Sequence, residues 1–128
     1  MKKTPTCHLL STLLLSISIS ACKKDADVVV TNPGLCAPTS SYAKPVTDLE
    51  GVVHFDQTLQ QYVISRAIPG TYDSVDIGAV CGDLPADFKT AGTRVRFSGI
   101  YRGYGQAPTP PLAGITYYFL ELTKIAKL

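Results

Sequence analysis

The chain has 128 residues, 12 basic and 10 acidic side chains, four cysteines and no tryptophan. That length suits one small domain, and its near-balanced charge lacks the basic footprint that nucleic-acid binding needs. It carries no catalytic constellation and no ligand-specific motif, which disfavours classes that depend on chemistry of their own.

In chain order, the first feature is a leader. Met1-Lys2-Lys3 is a short positive start, and an apolar stretch from Leu9 to Ile19 follows, interrupted only by serines and one threonine. As a helix that stretch would span roughly 17 Å, against about 30 Å for a bilayer core, so it is too short to cross one. A charged start, a short apolar middle and a small-residue end describe a secretory signal. The end reads Ile19-Ser20-Ala21-Cys22. This tetrapeptide resembles the lipobox of bacterial lipoproteins: an apolar residue, a small residue, Ala or Gly, then cysteine. The resemblance implies a diacylglycerol thioether on Cys22, cleavage before it, and acylation of the new amino terminus. One acyl chain anchors marginally and two or three anchor firmly. Lys23, rather than an aspartate, follows the cysteine, which in that family points to the outer membrane. The expected address is therefore the bacterial cell envelope, with lipid on Cys22 as the membrane contact. A plain signal peptide beside an accidental cysteine, or a short buried helix, is the competing reading.

Loss of residues 1–21 would change the arithmetic. Removing Lys2 and Lys3 leaves ten basic residues against ten acidic ones, a formally neutral chain. Cys7 leaves with the leader and Cys22 carries lipid, so Cys36 and Cys81 remain. An even pair in an oxidising compartment is expected to form a disulfide, whose long loop corresponds to roughly 4 kcal/mol in the chain-entropy account. Two buried free thiols are the alternative. No C-x-x-C is present to suggest a redox-active pair.

Residues 22–48 read as a lipidated cysteine and a tether, punctuated by three prolines, Asn32-Pro33-Gly34 and paired serines. Val28 to Val30 is its only apolar run and could add a short strand. From Leu49 onward, residues 49–128, the pattern becomes β-type. Gly51 to Phe55 and Gln61 to Ser65 are the first two segments, separated by a polar turn. Tyr72 to Cys81 alternates: Val75, Ile77, Ala79 and Cys81 against Ser74, Asp76 and Gly78. Period two predicts a half-buried strand with Cys81 pointing inward. Leu84 to Lys89 breaks the series with a short helical turn begun by Pro85. Thr93 to Arg102 places Val95, Phe97 and Tyr101 on one face and Arg94, Arg96, Ser98 and Arg102 on the other, with Gly99 at a bulge or bend. Ile115 to Ile125 is the last segment, dense on both faces over Tyr117 to Leu120.

Three strands, a short helical turn and two more strands is the order of an OB-fold, a five-stranded Greek-key barrel. The expected fold is therefore all-β and OB-like. In element order, in the L-P-x-x-F turn and in the V-x-F-S-G strand, residues 49–128 resemble the small OB-fold lipoproteins of Gram-negative envelopes. A β-sandwich or another small barrel remains the alternative. A domain of about 80 residues buries little core, and a disulfide would supplement it.

Candidate sites are few. His54 would need a nearby Ser and Asp for a triad, or further ligands for zinc, and reads better as an ordinary strand histidine. Asp73, Asp76, Asp83 and Asp87 lack calcium-loop spacing and read as a solvated acidic rim. Arg94 and Arg96 could meet an anion, or simply face solvent. The segment from Gly103 to Gly114 joins the last two strands, a binding position in OB-folds. Tyr101 and Tyr104 beside it offer contact area at low entropic cost, with a protein or a saccharide as possible partner and no cofactor expected. The favoured function is a non-catalytic binding or interaction module held on a membrane. A small envelope hydrolase and a structural accessory subunit of an envelope complex are the alternatives.

Overall fold

The computed structural model describes residues 27–30, 36–38, 40–105 and 112–128. The β-branched and aromatic runs form six strands: β1 (Val28–Val29), β2 (Ala43–Asp56), β3 (Gln61–Ala67), β4 (Val75–Val80), β5 (Arg94–Gly103) and β6 (Ile115–Lys127). A 3-10 turn, Ala86–Phe88, lies between β4 and β5. β2 pairs antiparallel with β3, and β3 with β4. β4 then runs parallel to β6, β6 antiparallel to β5, and β5 antiparallel to β2. The ring closes, giving an all-β, five-stranded, OB-like barrel with β1 added beside β6.

Two irregularities help the sheet close. β2 is long enough to pair with β5 through Ala43–Val52 and with β3 through Val52–Asp56. Its register slips between Val46 and Leu49, where Asp48 takes a left-handed φ of 50°, a conformation aspartate tolerates better than most residues. The bulge is satisfied twice. The Asp48 N–H donates to Ser98 Oγ at 2.9 Å, and its carboxylate meets Lys124 Nζ at 2.9 Å. Hydrogen bonding to Lys124 holds the Asp48 carboxyl below the usual range. The second slip, between Ser98 and Gly99 on the β6 side, sits where a bulge was expected. A Cβ at Gly99 would run into the Glu121 carbonyl oxygen.

Val53, Ile64, Val80, Val95, Phe97, Tyr101, Leu120, Leu122 and Ile125 form the barrel interior, with Leu84 and Phe88 from the 3-10 region closing one end. Cys36 and Cys81 are joined, with their Cα atoms 5.2 Å apart.

The structure corrects three expectations. Ala43 to Asp48 belong to β2 rather than to a tether, because the exposed first half of that strand is needed to pair with β5. Val28–Val29 do form a strand, and Val30 continues it, donating its N–H to Thr123 O at 2.9 Å and packing on the core. The third correction concerns β4, whose phase is inverted. Val80 lines the interior, and a Cβ on Gly78 would sit 3.1 Å from the Tyr101 ring and from Leu120. Asp76, Gly78 and Val80 therefore face inward, while Val75, Ile77 and Ala79 lie on the outer wall. Alternation reveals two faces of a strand, but it does not say which is interior when both are covered.

Candidate functional site

The outer wall of β3, β4 and β6 carries a second apolar cluster. Val63, Ile77 and Ala79 are buried there, with Leu59, Val75, Tyr104, Ile115, Tyr117 and Phe119 packed around them. Register explains the grouping, since Val63, Ala79 and Phe119 are lateral neighbours, as are Ile77 and Tyr117. Tyr104, just past the end of β5, folds back over this wall. Its ring centroid is 4.6 Å from that of Phe119 and 6.0 Å from that of Tyr117. Burial, with the Asp56 carboxylate adding to it, raises the phenol pKa values of Tyr104 and Tyr117.

More aromatic surface lies at the same end of the barrel. Tyr72, in the β3–β4 connection, is fully exposed, and Leu112 and Tyr42 are exposed as well. The β3–β4 and β5–β6 connections are tied together by Val75 N–H donating to Gly114 O at 2.8 Å. We call this the tyrosine end. Residues 106–111 of the expected binding loop lie outside the described residues.

Tyr101 is not part of that surface. It is wholly buried inside the barrel, filling the space that Gly78 leaves open, and cannot offer contact area to a partner. It stacks on Tyr118 at 4.6 Å, and Tyr118 stacks on Tyr42 at 5.9 Å, so three rings run from the interior to the surface. Asp76 lies nearby. It is buried, contrary to its expected place on a solvated rim, and its partner is Arg66, 3.9 Å away and directly opposite in register. The Tyr101 hydroxyl has no hydrogen-bond partner among the described residues. Burial and the Asp76 charge push the Tyr101 phenol far above the tyrosine range, and Tyr118 up to about 12 by burial, Asp76 and Tyr42.

The other candidates sit elsewhere. Arg94 and Arg96 are exposed on the outer face of β5, at the end opposite Tyr104, and Arg96 lies 3.5 Å from Glu50. The structure does not bring them together with the tyrosines. Arg102, nearer to Tyr104, donates to Glu121 at 3.2 Å. His54 Nδ1 lies 3.5 Å from Ser65 Oγ, which also reaches the Val52 carbonyl at 3.4 Å. Asp83 pairs with Lys89 at 2.6 Å. Among the described residues no group of three His, Cys, Asp or Glu side chains is placed to hold a metal ion. A cavity of about 310 Å³, walled by Phe55, Tyr62, Gln60, Gln61 and Leu84, opens at the end sealed by the 3-10 turn. The expected leader, residues 1–21, and the expected lipidation site Cys22 lie outside the described residues.

Sequence reasoning missed Tyr117 and Phe119 as partners of Tyr104, although their shared parity on a strand dense on both faces was the available signal. Nothing local marked Tyr72. The chain matches no known protein family and no curated protein.

Proposed function

We propose that the protein is a lipid-anchored envelope module that binds a partner without chemistry of its own, through the aromatic surface at the tyrosine end. The observation that carries this reading is the packing of Tyr104 against Tyr117 and Phe119, with Tyr72 and Leu112 exposed in the connections at that end. Aromatic side chains that are already packed lose little freedom on binding, so more of their contact area appears as affinity. The anchor assigned to Cys22 would concentrate such a module at a surface, where modest affinity suffices.

Cross-linking on intact cells would supply the partner, a protein or a saccharide. Tyr72→Ala and Tyr104→Ala should then each weaken its binding by about 1–3 kcal/mol if they are hot spots, with thermal unfolding of the Tyr72 variant unchanged. Unaltered affinity in both variants would remove the site assignment. Turnover of an envelope substrate that disappears in His54→Ala would replace the binding reading with a hydrolase built on His54 and Ser65.

A further inference from the structure

We infer that β1 sets the orientation of the barrel on its membrane, holding the end sealed by the 3-10 turn toward the bilayer and the tyrosine end away from it. This rests on the lipid anchor at Cys22 proposed above, but it uses a different set of facts: where the chain is gripped, and how much chain lies between grip and anchor.

The grip is close to the anchor. Val28 pairs with Ile125 and Val29 with Lys124, Val30 N–H donates to Thr123 O, and Asp27 lies 4.0 Å from Lys124. Only six peptide steps separate Cys22 from Val28. At no more than about 3.6 Å each, they reach at most about 20 Å. The barrel therefore stays within roughly its own width of the lipid headgroups.

The direction of exit follows from the antiparallel register. Going backward from Val29 to Val28, the chain moves from Lys124 toward Ile125, that is, toward the C-terminal end of β6. That end also carries the start of β5 at Arg94 and the 3-10 turn Ala86–Phe88, with Lys127 Nζ 5.7 Å from the Phe88 ring centroid. The β5–β6 connection leaves from the opposite end. From Ile125 back to Ile115 is ten strand residues, about 33 Å along the strand, or about 25 Å along a barrel axis once strand tilt is included. A tether of about 20 Å that leaves past the sealed end keeps that end near the surface. The β3–β4 and β5–β6 connections, which carry Tyr72 and Leu112, stand about 25 Å farther out, while the Tyr104 ring folds back along the wall to Phe119.

Charge does not oppose this approach. The sealed end carries Lys89, Arg94 and Lys127 against Asp56, Asp83 and Asp87, an even balance, and the tether begins with Lys23-Lys24. The flank beside β1 is internally paired, with Lys124 meeting Asp48 and Asp27, and Arg96 meeting Glu50. It therefore offers the headgroups little unpaired charge on which the barrel could lie down.

The test uses the lipidated protein in bicelles of phosphatidylethanolamine and phosphatidylglycerol doped with a gadolinium-chelating lipid, read by the loss of backbone amide signal. Loss at Asp87, Phe88 and Lys127, with signal retained at Tyr72, Tyr104 and Leu112, is the expected result. Equal loss at both ends, or loss confined to the tyrosine end, overturns the inference. A second arm inserts a long Gly-Ser linker between Lys24 and Asp25, which should erase the difference between the ends. A difference that survives the insertion shows that tether length is not its cause and also overturns the inference. Intact mass of the same sample reports separately on lipid at Cys22. If that lipid is absent, coupling the Cys22 thiol to a maleimide lipid supplies an equivalent anchor, and the same comparison of ends decides the matter.

Discussion

At one end of the barrel, Leu84 and Phe88 from the chain around the 3-10 turn close the interior with apolar side chains that are almost wholly buried. At the other end the plug is Tyr101 stacked on Tyr118 and Tyr42, and it carries hydroxyl groups and the Arg66–Asp76 pair into the interior. Both ends exclude water, but by different physics. An apolar plug contributes through area removed from water and through packing. An aromatic plug with polar atoms contributes area too, yet it sets that gain against a buried Tyr101 hydroxyl with no partner among the described residues. The sealed end is thus suited to stability alone, and the tyrosine end gives up some stability where aromatic groups emerge at the surface.

The sharpest way to break this comparison is to remove the apolar plug. Phe88→Ala should cost about 3–5 kcal/mol, the range for a fully buried phenylalanine, measured by urea unfolding with the Cys36–Cys81 bond intact. A loss under about 1 kcal/mol, within the range of ordinary surface substitutions, would mean that the 3-10 turn does not seal the barrel. Tyr101→Phe tests the opposite end with the opposite sign. It keeps the ring and deletes a buried hydroxyl that has no partner among the described residues, so stability should be unchanged or rise by up to about 1 kcal/mol. A clear destabilisation would reveal a hydrogen bond that the comparison leaves out.

The third prediction concerns alkaline pH. The folded-state phenol of Tyr118 is raised from the ordinary 10.0 to about 12, first by burial, and that of Tyr101 is raised further by the same cause. A group whose folded pKa lies above its unfolded value contributes stability that is complete below the unfolded pKa. That stability is lost as pH rises through the folded pKa. Unfolding should therefore set in above about pH 10, and these two tyrosines should ionise only as the barrel opens. Absorbance titration of tyrosinate alongside circular dichroism checks this. Ionisation of all seven tyrosines near pH 10 with the fold retained would show that the plug is not dry. The smallest effect belongs to Tyr101→Phe at high pH, which should move the alkaline transition slightly upward, since one buried titrating group is gone.

Much of the barrel was legible in the chain. Strand existence follows from β-branched and aromatic runs between turn residues, so β3, β5 and β6 fall close to their expected bounds. The Pro85 turn and the Gly99 irregularity follow from backbone restrictions that belong to single residues. The pairing of Cys36 with Cys81, expected from the even number of cysteines beyond the expected leader, is present.

What the chain did not disclose depends on surfaces created by closure. The period of β4 was plain, but its phase was not, because β6 places Tyr117 and Phe119 over one of its faces and the barrel interior lies against the other. Asp76 accordingly lies inside with Arg66, and Tyr101 occupies the space above Gly78, where a sequence reading had placed them at the rim and at the binding site. The early start of β2 at Ala43 depended on a partner, β5, roughly fifty residues away. Local pattern determines which residues can form a strand and where a turn must break it. Which face is interior, and which aromatic rings remain free for a partner, is decided only when the sheet closes and every face acquires a neighbour.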